Sequence, residues 1–216
     1  MKTILLTSGG TRVPIDDVRY IGNCSTGRFG TDIVDILRAN HDIEIIQLAA
    51  KHSDHIKNRH WHDVDRVKVI EFADFFDYQR KLDEQLALSP NVVVLAAAVS
   101  DYIMDPIQGK ISSNEEELTI TLKRAPKLIS TVKQKCPNCK LVGFKLLSGS
   151  DDIKLQEACL KSLVDNHCNV VIGNDLDSIK AGKHCVYVYS GTRTIKNDSN
   201  PAYIVARTIV LLSGAS

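Results

Sequence analysis

The sequence predicts an α/β fold: a mainly parallel sheet with helices on both faces and a small C-terminal hairpin extension. Three observations carry this expectation. Short apolar runs, residues 2–7 and 91–95, read as strands buried on both faces. Apolar Phe29, Ile33, Val34, Ile36 and Leu37 return at helical spacing. Strand and helix patterns then alternate along most of the chain, the rhythm of parallel strands joined by crossover helices. The 216 residues are 44% hydrophobic and 25% charged, enough for one compact domain over 1–216.

The first strand, residues 2–7, ends at Ser8, Gly9 and Gly10. A helix follows Gly27, with Ser25 or Thr26 placed to cap it and Asn40 beyond its end. Residues 43–48 and 67–72 are the next strands, and residues 75–88 read as an amphipathic helix. The strand at 91–95 runs into small residues and a polar tip at Ser100, Asp101 and Tyr102. Residues 118–122 alternate apolar with polar, as a strand with one wet face would. Pro126 opens a helix over 126–135, near the first position where its missing N–H costs little. Residues 141–144, 151–165 and 169–172 repeat strand, helix, strand. A hairpin over 185–189 and 194–196 and a helix over 201–212 finish the pattern.

Ligands of open parallel sheets bind outside the carboxyl ends of the strands. Four expected exits, residues 8–10, 98–101, 143–145 and 173–175, would gather on one rim. The segment from 5 to 30 is far longer than an ordinary strand-to-helix connection, so function is sought there. It matches neither G-x-x-x-x-G-K-[ST] nor G-x-G-x-x-G, which disfavours ordinary P-loop or NAD binding. Ser25, Thr26, Gly27 and Arg28 offer a helix start to an anion.

Lys plus Arg (27) nearly balance Asp plus Glu (26), so no global field selects nucleic acid or an anionic membrane. The N-terminal run lacks the pattern of a signal peptide, no apolar stretch approaches a membrane span, and the six cysteines read as reduced thiols. A cytoplasmic protein is the expectation. Cys136 and Cys139 form a lone C-x-x-C, a weak metal or redox signal. His52, His55, His60 and His62 read as a solvated loop rather than a metal site.

The run SGGTR-x-P-I-D-x-V-R-Y-I-x-N-x-S-[ST]-G-[KR]-x-G resembles the signature of the phosphopantothenoylcysteine synthetases, also called phosphopantothenate-cysteine ligases. Residues 96–102, Lys110-Ile111, 118–129, 142–145 and 173–175 continue the resemblance in order over nearly the whole chain. It implies a Rossmann-like fold, a homodimer, magnesium, and a ligation in coenzyme A biosynthesis. The carboxylate of 4'-phosphopantothenate would attack the α-phosphate of CTP or ATP, and the L-cysteine amine would then displace the nucleotide.

The resemblance also implies roles. Asn23 would hold the acyl-nucleotidylate, Lys110 would offset phosphate charge, and Arg19 would anchor an anion. Gly9, Gly10, Ser25, Thr26, Gly27, Ala97, Ala98 and Asp101 would contact nucleotide or substrate. Pro126, Lys127, Leu128 and Ile129 would line the nucleotide pocket beside Phe144. Lys161 aligns, after a one-residue slip, with the first of two triphosphate-contacting helix lysines; the second position holds Asn166. The K-x-K-K stretch of the family is reduced here to Lys110-Ile111-Ser112-Ser113, which leaves CTP and ATP both open. The loop from 110 to 117 is a candidate flap over the nucleotide. Two other function classes remain: an oxidoreductase on the same architecture, disfavoured by the glycine spacing and the lack of a Tyr-x-x-x-Lys pair, and a non-catalytic nucleotide-sensing module. The joint presence of Asn23 and Lys110 argues against the module.

Overall fold

The structure, a computed structural model, describes residues 1–59, 66–114, 116–191 and 193–215. Strand β1 (Lys2–Ser8) leads through a small antiparallel hairpin, β2 (Arg12–Pro14) and β3 (Tyr20–Gly22), into helix α1 (Arg28–Leu37). Strands β4 (Ile43–Ala50) and β5 (Val67–Phe72), helix α2 (Phe75–Leu86) and strand β6 (Val92–Leu95) follow. A second short antiparallel pair, β7 (Tyr102–Ile103) and β8 (Lys123–Arg124), precedes a 3-10 turn (Leu128–Thr131) and α3 (Val132–Lys135). The chain continues with β9 (Lys140–Leu147), α4 (Asp152–Asp165), β10 (Val170–Asp175) and α5 (Leu176–Lys180). Strands β11 (Val186–Tyr189) and β12 (Thr194–Asn197) and helix α6 (Pro201–Ser213) complete it.

Among the described residues, eight strands share one sheet in the order β12-β11-β10-β9-β6-β1-β4-β5. The six from β5 to β10 are parallel, and β11 and β12 add an antiparallel edge. This is the expected Rossmann-like α/β architecture with its C-terminal hairpin. Crossovers run one way from β1 through β4 and β5, and the other way through β6, β9 and β10. The reversal lies between β1 and β6, where Thr7 stands opposite Leu95. A crevice between strand ends opens at such a point.

Alternation along β1 sorts its side chains between two cores. Ile4 and Leu6 pack with Ile33, Val34, Val205 and Ile209 of α1 and α6, whereas Leu5 faces Tyr78, Leu82 and Leu155 of α2 and α4. No helix among the described residues is long and apolar enough to cross a membrane.

Several expected elements need correction. Residues 118–122 are not a strand: the alternation is present, but no neighbouring strand pairs with it, and only Lys123 and Arg124 reach a partner. Residues 126–135 form no single helix. Ser130 and Thr131 hydroxyls donate to the carbonyls of Lys127 (2.7 Å) and Leu128 (2.9 Å), and the turn closes as 3-10 before four α-helical residues. Gly27, at φ 76°, is the N-cap of helix α1, and Thr26 just before it accepts the Arg28 N–H on its hydroxyl at 3.4 Å. Residues 143–145 and 173–175 lie inside β9 and β10, which extend to Leu147 and Asp175.

A buried amide ties β1, α1 and β4 together. Gln47, fully buried in β4, donates Nε2 to Ser8 Oγ (3.2 Å) and Thr31 Oγ1 (3.1 Å) and accepts from the Ile56 N–H (3.0 Å). Thr31 in turn donates to the Asp54 carbonyl at 2.9 Å. Replacing the amide by an isosteric apolar group strands the Ile56 N–H in the core. Gln47→Leu should therefore lower stability by about 2–4 kcal/mol. The measurement is a urea titration, in which the midpoint falls while the slope stays constant.

Candidate functional site

The first loop leaves β1 through two glycines that the site cannot do without. Gly9 has φ +84°, and a Cβ there would lie 2.6 Å from Ala50 Cβ and Ser53 Oγ. A Cβ on Gly10 would lie 2.4 Å from the Asn23 carbonyl oxygen. The loop thus folds back directly onto the strand end. The Asn23 N–H donates to the Thr11 carbonyl at 3.2 Å, and Asn23 Nδ2 donates to the Ala98 carbonyl at 2.8 Å. Ala98 O also accepts from the Thr11 N–H (3.0 Å), and Gly10 and Ala98 form a parallel bridge. Threonine hydroxyls complete the join: Thr7 Oγ1 accepts from the Ala97 N–H (3.2 Å) and Thr11 Oγ1 from the Ser100 N–H (2.9 Å). Gly9, Gly10, Asn23, Ala97 and Ala98 therefore meet at the reversal between β1 and β6.

Lys110 is held by the same loop. The Ile107 N–H donates to the Ile15 carbonyl (2.8 Å), and the Asp17 N–H donates to the Gly109 carbonyl (3.1 Å). The Gly109 N–H reaches Asp17 Oδ2 (3.1 Å), and the Ile111 N–H reaches Asp16 Oδ2 (3.1 Å). Arg19 Nη2 donates to the Ile111 carbonyl at 2.8 Å, and its Nε lies 3.5 Å from Asp16 Oδ2. Both neighbours of Lys110 are pinned, while its own side chain is exposed and has no hydrogen-bond or ion-pair partner among the described residues. Asp16 is only 4% exposed. Burial alone would raise its carboxyl, but N–H donors from Val18, Ile111 and Arg19, with the Arg19 guanidinium, hold it below the usual carboxylate range.

The other expected residues spread along the rim. Thr26 O accepts from the Asp54 N–H (2.8 Å), which turns the 25–27 segment toward the β4 exit. Asp101 is exposed, and its carbonyl accepts from the Ala125 N–H (2.8 Å), docking the chain that carries Pro126 and Lys127. Leu128 and Ile129 pack into the core on the α2 and α4 side. Phe144 packs on the opposite face, edge-on to Phe29 at 6.3 Å, and Phe29 lies 4.3 Å from the His184 ring. Asn174 Nδ2 is 2.9 Å from His184 Nε2, while Asn174 Oδ1 is buried with no hydrogen-bond partner among the described residues. Burial lowers the His184 pKa against the opposing pull of Asp32.

Lys161 is not brought to the rim. It is 77% exposed, ion-paired with Asp165 at 2.9 Å, and nine residues into α4, roughly 14 Å from the helix start that faces the strand ends. Thr11, Asp16 and Ser100 are structural members of the site that pattern reading misses, because their partners lie far along the chain. An acidic residue directly after buried Ile15 in a polar loop was the available signal for Asp16.

Cys136 and Cys139 are core side chains, and burial, reinforced by Cys136, pushes the Cys139 thiol up to about 12. His52 is exposed, but His55 is not solvated: it is buried, with Nε2 3.2 Å from Glu71 Oε1. His60 and His62 lie outside the described residues. No three His, Cys, Asp or Glu side chains gather to hold a metal among the described residues.

Residues 1–210 match the family described as DNA/pantothenate metabolism flavoprotein C-terminal domain. The coenzyme A biosynthesis bifunctional protein CoaBC of Methanocaldococcus jannaschii is 29% identical over 194 residues, which are 88% of this chain and 44% of that protein. The chain thus spans less than half the length of that relative. The phosphopantothenate-cysteine ligase of Mus musculus is 28% identical over 232 residues, covering 83% of this chain and 74% of the mouse protein. The crystal structure of the DNA/pantothenate metabolism flavoprotein from Streptococcus pneumoniae superimposes with a TM-score of 0.85 at 28% identity, covering 98% of this chain and 99% of that one.

The Asp16 clasp sets a pH dependence. A depressed carboxyl stabilises the fold above its unfolded pKa, and the contribution disappears as pH falls through the folded value. Asp16→Asn should therefore be less stable than the wild type above about pH 5, and the gap should close below about pH 4. Denaturant titrations across this range measure it, and a gap that ignores pH would contradict a charged clasp.

Proposed function

The chain belongs to the DNA/pantothenate metabolism flavoprotein C-terminal domain family, and on that premise we propose that it is a phosphopantothenate-cysteine ligase of coenzyme A biosynthesis. The observation that carries this reading is the double use of the first loop. One segment presents Asn23 at the strand reversal and, through Asp16, Asp17 and Arg19, pins both neighbours of Lys110. A dinucleotide oxidoreductase has no need of that coupling.

In the first half-reaction a carboxylate oxygen of 4'-phosphopantothenate attacks the α-phosphorus of CTP or ATP. A new P–O bond forms, the bond to the β-phosphate oxygen breaks, and pyrophosphate leaves with the electron pair. Negative groups must approach one another, so a nearby cation and fixed N–H donors lower the barrier. Lys110 supplies the cation. Asn23 commits one N–H to Ala98, which fixes the amide and leaves its second N–H and Oδ1 for the intermediate. Arg19, with five donors and only part of them engaged, anchors an anion.

In the second half-reaction the cysteine amine forms a C–N bond to the acyl carbon. The acyl C–O bond breaks, the nucleoside monophosphate leaves, and the amine proton passes to solvent. Gly9, Gly10 and Ala97 let ligand approach the backbone. Phe144 lies edge-on to Phe29 in an aromatic pair, a surface suited to a base. Magnesium arrives as part of the nucleotide substrate. Val18, Tyr20, Ile21, Tyr102, Ile107 and Leu118 are exposed apolar side chains on the two small antiparallel arms and nearby loops, which supports association with a second copy of the chain.

Incubation with 4'-phosphopantothenate, L-cysteine, magnesium and either CTP or ATP should yield the amide and pyrophosphate. Absence of product with both nucleotides sinks the ligase reading. The half-reactions separate the two key side chains. Asn23→Ala should release about one equivalent of pyrophosphate but form amide at least ~100-fold slower, whereas Lys110→Ala should slow the pyrophosphate step itself, by ~100-fold or more. Rapid-quench analysis distinguishes the two patterns.

A further inference from the structure

On the β4 side of β1 lies a cleft that the steps above leave unused. It shares Gly10, Asn23 and Ser25 with the site, and its far wall is the turn after β4, where Lys51 and His52 follow Ala50. Arg12 enters from β2. The enclosed space is about 50 Å³, room for a carboxylate group rather than for a whole metabolite. The Arg12 guanidinium lies 4.0 Å above the Tyr20 ring, a contact that orients the cation without neutralising it. Lys51 and His52 are exposed side chains of the turn.

The cleft is one-signed. Arg12, Lys51 and His52 line it, and no acidic side chain does among the described residues. Carboxylates of the surrounding segments are already engaged: Asp54 pairs with Arg59, and Glu71 with His55. In a chain of net charge +1 this is a local field, suited to a small anion.

We propose that this cleft is the amino-acid subsite, with Arg12, Lys51 and His52 receiving the α-carboxylate of the incoming amino acid. The inference rests on the ligase reading and adds where its second substrate binds. An α-amino acid carries its amine one carbon from its carboxylate. A carboxylate held against the Arg12 and Lys51 cations and the His52 ring places that amine next to Asn23, the shared wall of the cleft. Without such a site nothing distinguishes an amino acid from a simple amine.

The test uses L-cysteine and cysteamine, which have the same amine and thiol but differ by the carboxylate. For Arg12→Met, and for Lys51→Met on the exposed turn, the KM for cysteine should rise about 10- to 100-fold, the loss of a charged hydrogen bond. Pyrophosphate release in the first half-reaction should be unchanged, and the rate with cysteamine should move less than about twofold, so the preference for cysteine collapses. An unchanged cysteine KM in both variants overturns the subsite. Equal losses with both amines, or loss of pyrophosphate release in the variants alone, also overturn it, because the cleft would then serve the first step or the fold. A wild-type chain that releases no pyrophosphate overturns the ligase reading, and the subsite with it.

Discussion

Where β1 and β6 part, the backbone polar groups of two strand ends must be satisfied without a continuing ladder and without closing the crevice between them. An orphaned buried N–H or carbonyl there would cost as much as a lost hydrogen bond. The chain meets the demand with side chains. Thr7 and Thr11 hydroxyls take the N–H groups of Ala97 and Ser100, and the Ala98 carbonyl is shared by Thr11 and Asn23. The first loop is consequently anchored to the second strand exit, and Asn23 is both structural donor and candidate ligand group. Gly10 has to be glycine because this closure brings the Asn23 carbonyl into the space of a Cβ.

From that anchor the rest of the rim is placed by two buried polar hubs. The Asp16 carboxylate gathers N–H groups from its own turn and from Ile111, 95 residues away, converting a distant loop into a wall of the site. Gln47 does the corresponding work on the other side of β1, holding the turn after β4 against the start of α1. Both hubs are satisfied at the polar atoms that matter, so they specify one arrangement rather than merely tolerating burial. Surface ion pairs such as Lys161 with Asp165 are exposed on both sides and do no comparable positioning.

The rim divides by chemistry as well as by position. Toward β6, β9 and β10 it offers small residues and an aromatic pair, Phe29 with Phe144. Toward β4 and β5 it offers Arg12, Lys51 and His52, a lining for a small anion. Asn23 stands between the two. In the proposed ligase reaction, this is where acyl-nucleotidylate and amine would meet.

The elements and the layer architecture were legible in the chain because their causes are local. Period-2 and period-3.6 apolar patterns follow from side-chain direction along strands and helices, and β1, α1, α2, β6, α4 and α6 all carry them. The long polar loop and its Asn23, and the resemblance that singled out Lys110, were legible as sequence too. Pattern alone misjudged residues 118–122, since alternation makes a strand only when a neighbour supplies the ladder. It also missed β2 and β3, three residues each, which exist because they pair with one another. The resemblance implies a nucleotide contact for Lys161, which α4 holds nine residues beyond its start in an ion pair with Asp165. What only tertiary structure decided was the company each residue keeps: Thr11 with Ser100, Asp16 with Ile111, Arg12 with Lys51 and His52. These juxtapositions join segments tens of residues apart, and the strand order that brings them together comes from packing two apolar faces at once, which no local pattern encodes.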